Sequence, residues 1–229
     1  MRRQFDRRVA AGAFGLAAVA LLATLGFAGA SGPLLNRTDT AAARELLALM
    51  RAGERGSWSV RYDFTRTLAG GRTLRQSMQE ARISSLHVLR SGSVMTVEQG
   101  KRSFNCNLVE GRPACTESAA GTALAPSEVL RVAMSVGAYR VVKDAGATIA
   151  GEQARCFRVL ATGHGQLPDL GIEADLCLAP NGVSLRQRIV RASGDADERR
   201  AQVIDAPVTR ATVRAVARGF DPSAPIGQG

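Results

Sequence analysis

In residues 58–65, Trp58, Val60, Tyr62 and Phe64 alternate with Ser59, Arg61, Asp63 and Thr65. Successive side chains of a strand point to opposite faces, so this stretch has one bulky apolar face and one polar face. A strand of that kind belongs in an antiparallel sheet buried on one side, because strands of a doubly covered parallel sheet read as near-continuous apolar runs.

The rest of the chain supplies partners for it. Ala69-Gly70-Gly71 turns the chain, and residues 72–90 hold two more strands with weaker patterning. Residues 94–98, 103–109 and 113–116 form a meander with turns at Gln99-Gly100-Lys101 and Glu110-Gly111. Further strands are predicted at 139–142, from Thr148, at 154–161, 172–179, 184–192, 201–205 and 208–216, with residues 194–200 a charged turn. Asn181-Gly182 is read as a two-residue hairpin turn with both central residues at positive φ.

Two segments have helical spacing instead. Asp39 or Thr40 caps a helix that runs to about Ala52, with Ala43, Leu46, Leu47 and Met50 on one face and Gly53 ending it. Pro126 opens a second helix, whose stripe is Val129, Leu130, Ala133 and Met134 and whose stop is Gly137.

Ahead of this domain lie 22 residues, 9–30, without a charge, following Arg2, Arg3, Arg7 and Arg8. At about 1.5 Å per residue they are long enough to cross a hydrocarbon core about 30 Å thick. The arginines in front place residues 1–8 in the cytoplasm. Two readings stay open: a retained single-pass signal anchor, or a signal peptide cleaved near Ala30 after Ala28-Gly29-Ala30. Both deliver the rest of the chain outside the cytoplasm: a linker at 31–37, one domain at 38–218 and a frayed tail at 219–229. The formal charge is +10, of which the leader carries +3. The basic remainder reads as a solvated face; its location argues against nucleic acid as a partner.

All four cysteines, Cys106, Cys115, Cys156 and Cys177, follow the apolar segment. An even number in an exported domain favours disulfides. If Glu110-Gly111 is a two-residue turn, Val109 faces Arg112 and Cys106 lands opposite Cys115. The midpoint of Cys156 and Cys177 falls in the loop at 163–171, which places them opposite one another as well. The expected bridges are Cys106–Cys115 and Cys156–Cys177.

The residue patterns of catalysis are missing. No serine sits in a G-x-S-x-G elbow, and there is no Walker or dinucleotide-binding glycine loop. His87 and His164 have no ligand spacing with the cysteines. Asp195, Asp197 and Glu198 resemble a small acidic turn more than a calcium loop, and Asp63, Glu80 and Glu98 read as surface carboxylates. No enzyme, cofactor or metal site is expected.

The order of elements (exported N-terminus, helix, Trp58 strand, meander, helix, antiparallel strands) resembles the LolA- and LppX/LprG-like lipoprotein-carrier superfamily of bacterial envelopes over residues 38–218. The resemblance implies an α+β fold: a curved, unclosed antiparallel half-barrel with two or more helices on its concave side. It also implies an apolar groove that binds a lipid or lipoprotein. Trp58, Val60, Tyr62 and Phe64 would line it opposite Val129, Leu130, Ala133 and Met134. The chain departs from the lipid-anchored members in lacking a lipobox cysteine, and the two local cysteine pairs are not a general feature of the superfamily. A similar fold occurs in periplasmic regulators of membrane anti-sigma factors, which implies the alternative: a membrane-tethered protein-interaction or regulatory ectodomain with a filled core.

Overall fold

The computed structural model describes residues 40–218 and Phe220, except 85, 101, 111, 119–123, 164–166 and 168–169. The expectations for residues 1–37, for His164 and for all of the tail but Phe220 lie outside them. Among the described residues no helix is long and apolar enough to cross a membrane.

Helix α1 (Ala41–Arg55) opens where expected: the Thr40 side chain accepts a hydrogen bond from the Ala43 amide at 3.1 Å. Six hairpin-linked strands follow, β1 (Trp58–Thr67), β2 (Thr73–Ile83), β3 (Leu86–Ser91), β4 (Val94–Gln99), β5 (Arg102–Val109) and β6 (Arg112–Ser118). Helix α2 (Pro126–Ser135) leads to β7 (Tyr139–Lys143), β8 (Ala147–Ile149), β9 (Glu152–Ala161), β10 (Glu173–Leu178), β11 (Ser184–Val190) and β12 (Ala196–Asp205). Helix α3 (Arg210–Val216) comes last.

The pairings are all antiparallel, in the order β6-β5-β4-β3-β2-β1-β12-β11-β10-β9-β7, with β8 continuing the β7 side of β9. The sheet is not closed: β6 and β7 are its edges. Among the described residues, the N-terminal meander is joined to the C-terminal strands by strand pairing where β12 returns to β1. This is the α+β half-barrel expected from the order of elements.

Register fixes which helix covers which face. Phe157 is paired with Leu176, Leu176 with Gln187, Gln187 with Arg199, and Arg199 with Phe64, so all five share a face. On that face α1 and α2 bury Leu46, Leu49, Leu130 and Met134 against Tyr139, Phe157, Val159 and Leu176. Glu54 links the two helices: its carboxylate accepts from the Ser127 amide and hydroxyl, both at 2.7 Å. That satisfies an amide at the start of α2, where the N-cap Ala125 offers no side chain. Gly137 ends α2 at φ 73°, with Ala138 N–H bonded to the Ala133 carbonyl, as its position after the stripe predicts.

Helix α3 corrects the expectation of a final strand at 208–216. The Thr209 side chain caps it by accepting from the Thr212 amide. Val213, Val216 and Ala217, spaced three and four apart, bury against Ala81, Val88, Val97 and Phe104. Phe64 pairs with Gln76 and Val60 with Glu80, so Glu80 shares the Phe64 face and its neighbour Ala81 points the other way; α3 thus lies on the face opposite α1 and α2. The helices are therefore not all on one side of the sheet.

Three further boundaries differ from the sequence reading. Gly53 does not stop α1; it is buried two residues before the end, pressed against Gly182, where a Cβ would come within 2.2 Å of the Gly182 carbonyl oxygen. The hairpin at Gly182 has three loop residues, not two. Ala179 N–H bonds to the Val183 carbonyl and Gly182 N–H to the Ala179 carbonyl, and Gly182, but not Asn181, has positive φ. The charged stretch after Gly194 is already strand from Ala196, because Asp197 pairs with Arg66 across β1.

Both disulfides are cross-strand. Cys106 is bonded to Cys115 and Cys156 to Cys177, each pair directly opposite in register. The Glu110 turn has the two-residue form, with Val109 opposite Arg112 and Glu110 at φ 50°.

Candidate functional site

The eight residues proposed to line a groove share the α1/α2 face but fall into separate places. Trp58, Val60 and Tyr62 belong to one core cluster with Val183, Leu185 and Ala201. Leu130, Ala133 and Met134 belong to another, closed by α1 and strands β7, β9 and β10. Val60 and Tyr62 are 0% exposed and Leu130 1%. Val129 is half-buried, and Phe64 lines an open surface cleft of about 390 Å³ with Asp63, Thr65, Arg75 and Gln76.

What the sequence did not reveal is an ionic network on the same face. Register sets Trp58, Arg82, His87 and Glu98 in one row across β1–β4, and Val60, Glu80 and Leu89 in the next. Glu80 and Glu98 are thereby brought to either side of the His87 ring. His87 Nε2 lies 2.9 Å from Glu80 Oε1, and Nδ1 lies 2.9 Å from Glu98 Oε2. Arg199 donates to the second Glu80 oxygen at 2.9 Å and stacks over the Tyr62 ring at 5.3 Å. Arg82 reaches Glu98 at 3.9 Å and donates to the Glu54 carbonyl of α1 at 3.1 Å. Trp58 meets the His87 ring edge-on and donates to the Gly53 carbonyl at 2.9 Å.

The protonation state follows from geometry. A neutral imidazole has one donor and one acceptor, but here each ring nitrogen faces a carboxylate oxygen. With both carboxylates ionised, only the imidazolium donates to both. Burial alone would lower the His87 pKa, but the hydrogen bonds to Glu80 and Glu98 outweigh it and raise the pKa above 6.5. Burial alone would raise the Glu80 carboxyl; Arg199, His87 and Arg82 instead hold it down to about 2. Glu80 is 7% exposed, so the reading of it as a surface carboxylate is wrong. The two carboxylates flank opposite sides of the ring and do not converge on one point, and among the described residues no acidic, histidine or cysteine cluster is arranged to hold a metal ion.

A second pair of networks ties the same strands. Arg66 makes a bidentate contact with Asp197, at 2.6 and 2.8 Å, and Arg191 adds a third bond at 2.7 Å. Asp197 is buried on a strand, which removes it from any acidic loop. Asp195 does sit in the turn, where it accepts from the Ala69 amide at 2.8 Å. Chemically, these groups hold charge and protons between strands; they fix β1, β2, β3, β4 and β12 to one another and to α1.

No family model matches the chain, and no curated protein matches it in sequence. Solved structures do share its fold. The MucA/MucB complex of Pseudomonas aeruginosa aligns at a TM-score of 0.54 and 14% identity, over 78% of this chain and 62% of that one. The likeness is one of fold. This chain thus spans under two thirds of the MucB-complex chain it matches. A LolA superfamily protein from Nitrosomonas europaea aligns at 0.34 with 8% identity, over 76% and 97% of the two chains. The Mycobacterium tuberculosis lipoprotein LppX aligns at 0.35 with 16% identity, over 72% and 98%.

Proposed function

We propose that this chain is a non-enzymatic envelope protein whose extracytoplasmic domain binds another polypeptide and has a filled interior. Residues 9–30 deliver it across the membrane and either tether it there or are cleaved. The observation that carries this reading is the packing of the presumed groove walls. Trp58, Val60 and Tyr62 are committed to one core cluster, and Leu130, Ala133 and Met134 to another. The ionic network between β2, β3, β4 and β12 further resists separation of the strands. Support also comes from the fold shared with MucB, whose solved complex has a protein, MucA, as partner.

Lipid carriage is the competing reading of the same fold, and it requires these two clusters to part and admit an acyl chain. Photo-crosslinking in cells, with the full chain carrying the crosslinker at exposed sheet positions, tests the interaction reading. A discrete protein adduct is expected. Adducts to lipid only would overturn it.

A further inference from the structure

We infer that the cleft between Arg61 and Arg90, on strands β1–β3, is the docking site for an acidic segment of a partner polypeptide. This rests on the interaction reading above and names the chemistry of the partner.

The cleft has a volume of about 350 Å³ and is lined by Arg61, Met78, Gln79, Arg90 and Gly92, among others. Register places Arg61, Gln79 and Arg90 side by side on three adjacent strands, so the two cations point from the same face with an amide between them. Among the described residues, Arg66, Arg82, Arg186, Arg188, Arg191 and Arg199 are the other partly buried arginines, and each is paired with a carboxylate. Arg90 is partly buried and, among the described residues, has no such pair. The charge that acts on it is another cation: burial and then repulsion from Arg218, just past α3, lower its pKa. Arg218 itself holds a left-handed backbone conformation, φ 53°, which non-glycine residues rarely adopt. Asp63, two residues along from Arg61 on the same face, receives a hydrogen bond from Gln202 at 2.8 Å.

A recess that withdraws a guanidinium from water and sets a like charge beside it is unfavourable until an anion enters. Two interstrand spacings separate Arg61 from Arg90, about 10 Å, which is the reach of two acidic side chains two or three residues apart on an extended peptide. Gln79 between them offers both a donor and an acceptor for the peptide backbone. A bilayer surface fits less well, because it engages cations on an open face, whereas Arg90 sits in a recess.

The test is fluorescence anisotropy of a rhodamine-labelled oligoglutamate peptide with the full chain in neutral detergent. Three proteins are compared: the parent, Arg61→Gln with Arg90→Gln, and a control of equal net charge, Arg112→Gln with Arg140→Gln. The control positions are exposed and lie on β6 and β7. Binding is expected to weaken at least about ten-fold in the cleft variant, the scale of one lost charge-assisted hydrogen bond, and to stay near the parent value in the control. Equal losses in both, or no binding by the parent, would overturn the assignment. So would arginine-dependent binding to phosphatidylglycerol vesicles without peptide binding. Arg61→Gln alone, at an exposed position, keeps the test readable if the double variant does not fold. A crosslinked partner whose capture is unchanged by Arg61→Gln would sink the cleft while leaving the interaction reading intact.

Discussion

His87 Nε2 and Glu80 Oε1 lie 2.9 Å apart across β2 and β3, seven residues apart in sequence, with Glu80 buried and His87 half-buried. The contact is charged on both sides, and Glu98 repeats it at the other ring nitrogen. Removing the cation leaves two carboxylates facing each other's field at the sheet surface. His87→Ala is therefore expected to lower stability by about 3 kcal/mol, the range for breaking a buried pair by deleting one partner. Urea unfolding measures it; a loss under about 1 kcal/mol would show that the network is incidental.

The same groups set the pH dependence. The folded His87 pKa is raised above its ordinary 6.5, so its contribution is full below that value and is lost as pH rises through the folded pKa. The Glu80 carboxyl is depressed from 4.5 to about 2, so its contribution is present above 4.5 and is lost as pH falls toward about 2. Stability should peak in mildly acidic solution, between these two limits. In His87→Gln the alkaline decline should flatten. A parent and variant with parallel profiles above neutral pH would contradict the assignment of an imidazolium at this position.

Gly53→Ala separates helix propensity from packing. In an exposed helix the change would stabilise by about 1 kcal/mol. Here the added Cβ meets the Gly182 carbonyl oxygen at 2.2 Å, and that oxygen belongs to a backbone turn. A net loss of about 2–3 kcal/mol is expected from overpacking. Thermal or urea unfolding that shows a gain would mean α1 does not press on the β10–β11 hairpin.

The disulfides should contribute unequally. They close loops of 9 and 21 residues' separation. The loop-entropy relation gives about 3 kcal/mol for each, with the Cys156–Cys177 bridge ahead by roughly three quarters of a kcal/mol. Replacing each pair by alanine and comparing urea midpoints checks the order. Non-reducing peptide mapping checks the pairing, which no peptide joining Cys106 to Cys156 or Cys177 should contradict.

Helix α3 makes a positional prediction. Val213→Ala should destabilise by about 2 kcal/mol and Thr209→Ala by about 1 kcal/mol, while Arg214→Ala should be close to neutral. Val213 is 0% exposed and Arg214 is exposed. A strand in this place would give a two-residue alternation of effects instead of spacing by three and four.

The readable parts of the sequence were those whose pattern is local. The Trp58–Phe64 alternation, the Thr40 cap, the Gly137 stop and the Glu110 turn each depend on a few adjacent residues, and the cysteine pairing followed from turn arithmetic. Helix α3 was missed because Val208, Thr209, Thr212 and Val213 favour strands individually, and seven residues are too short for periodicity to decide. Gly53 was misread because its reason is Gly182, 129 residues away. The network was invisible for the same kind of cause: Glu80, His87 and Glu98 have no motif spacing, and only the β2–β3–β4 register makes them neighbours. Core and groove walls share one composition, so the sequence alone could not tell a filled interior from an acyl site.

Native mass spectrometry of the full chain, purified in detergent and released from it in the gas phase, tests the filled interior most directly. The account predicts the bare polypeptide, 24.1 kDa if residues 9–30 are retained, or a stoichiometric complex with a second polypeptide. A stoichiometric acyl-lipid adduct that survives detergent exchange would contradict it.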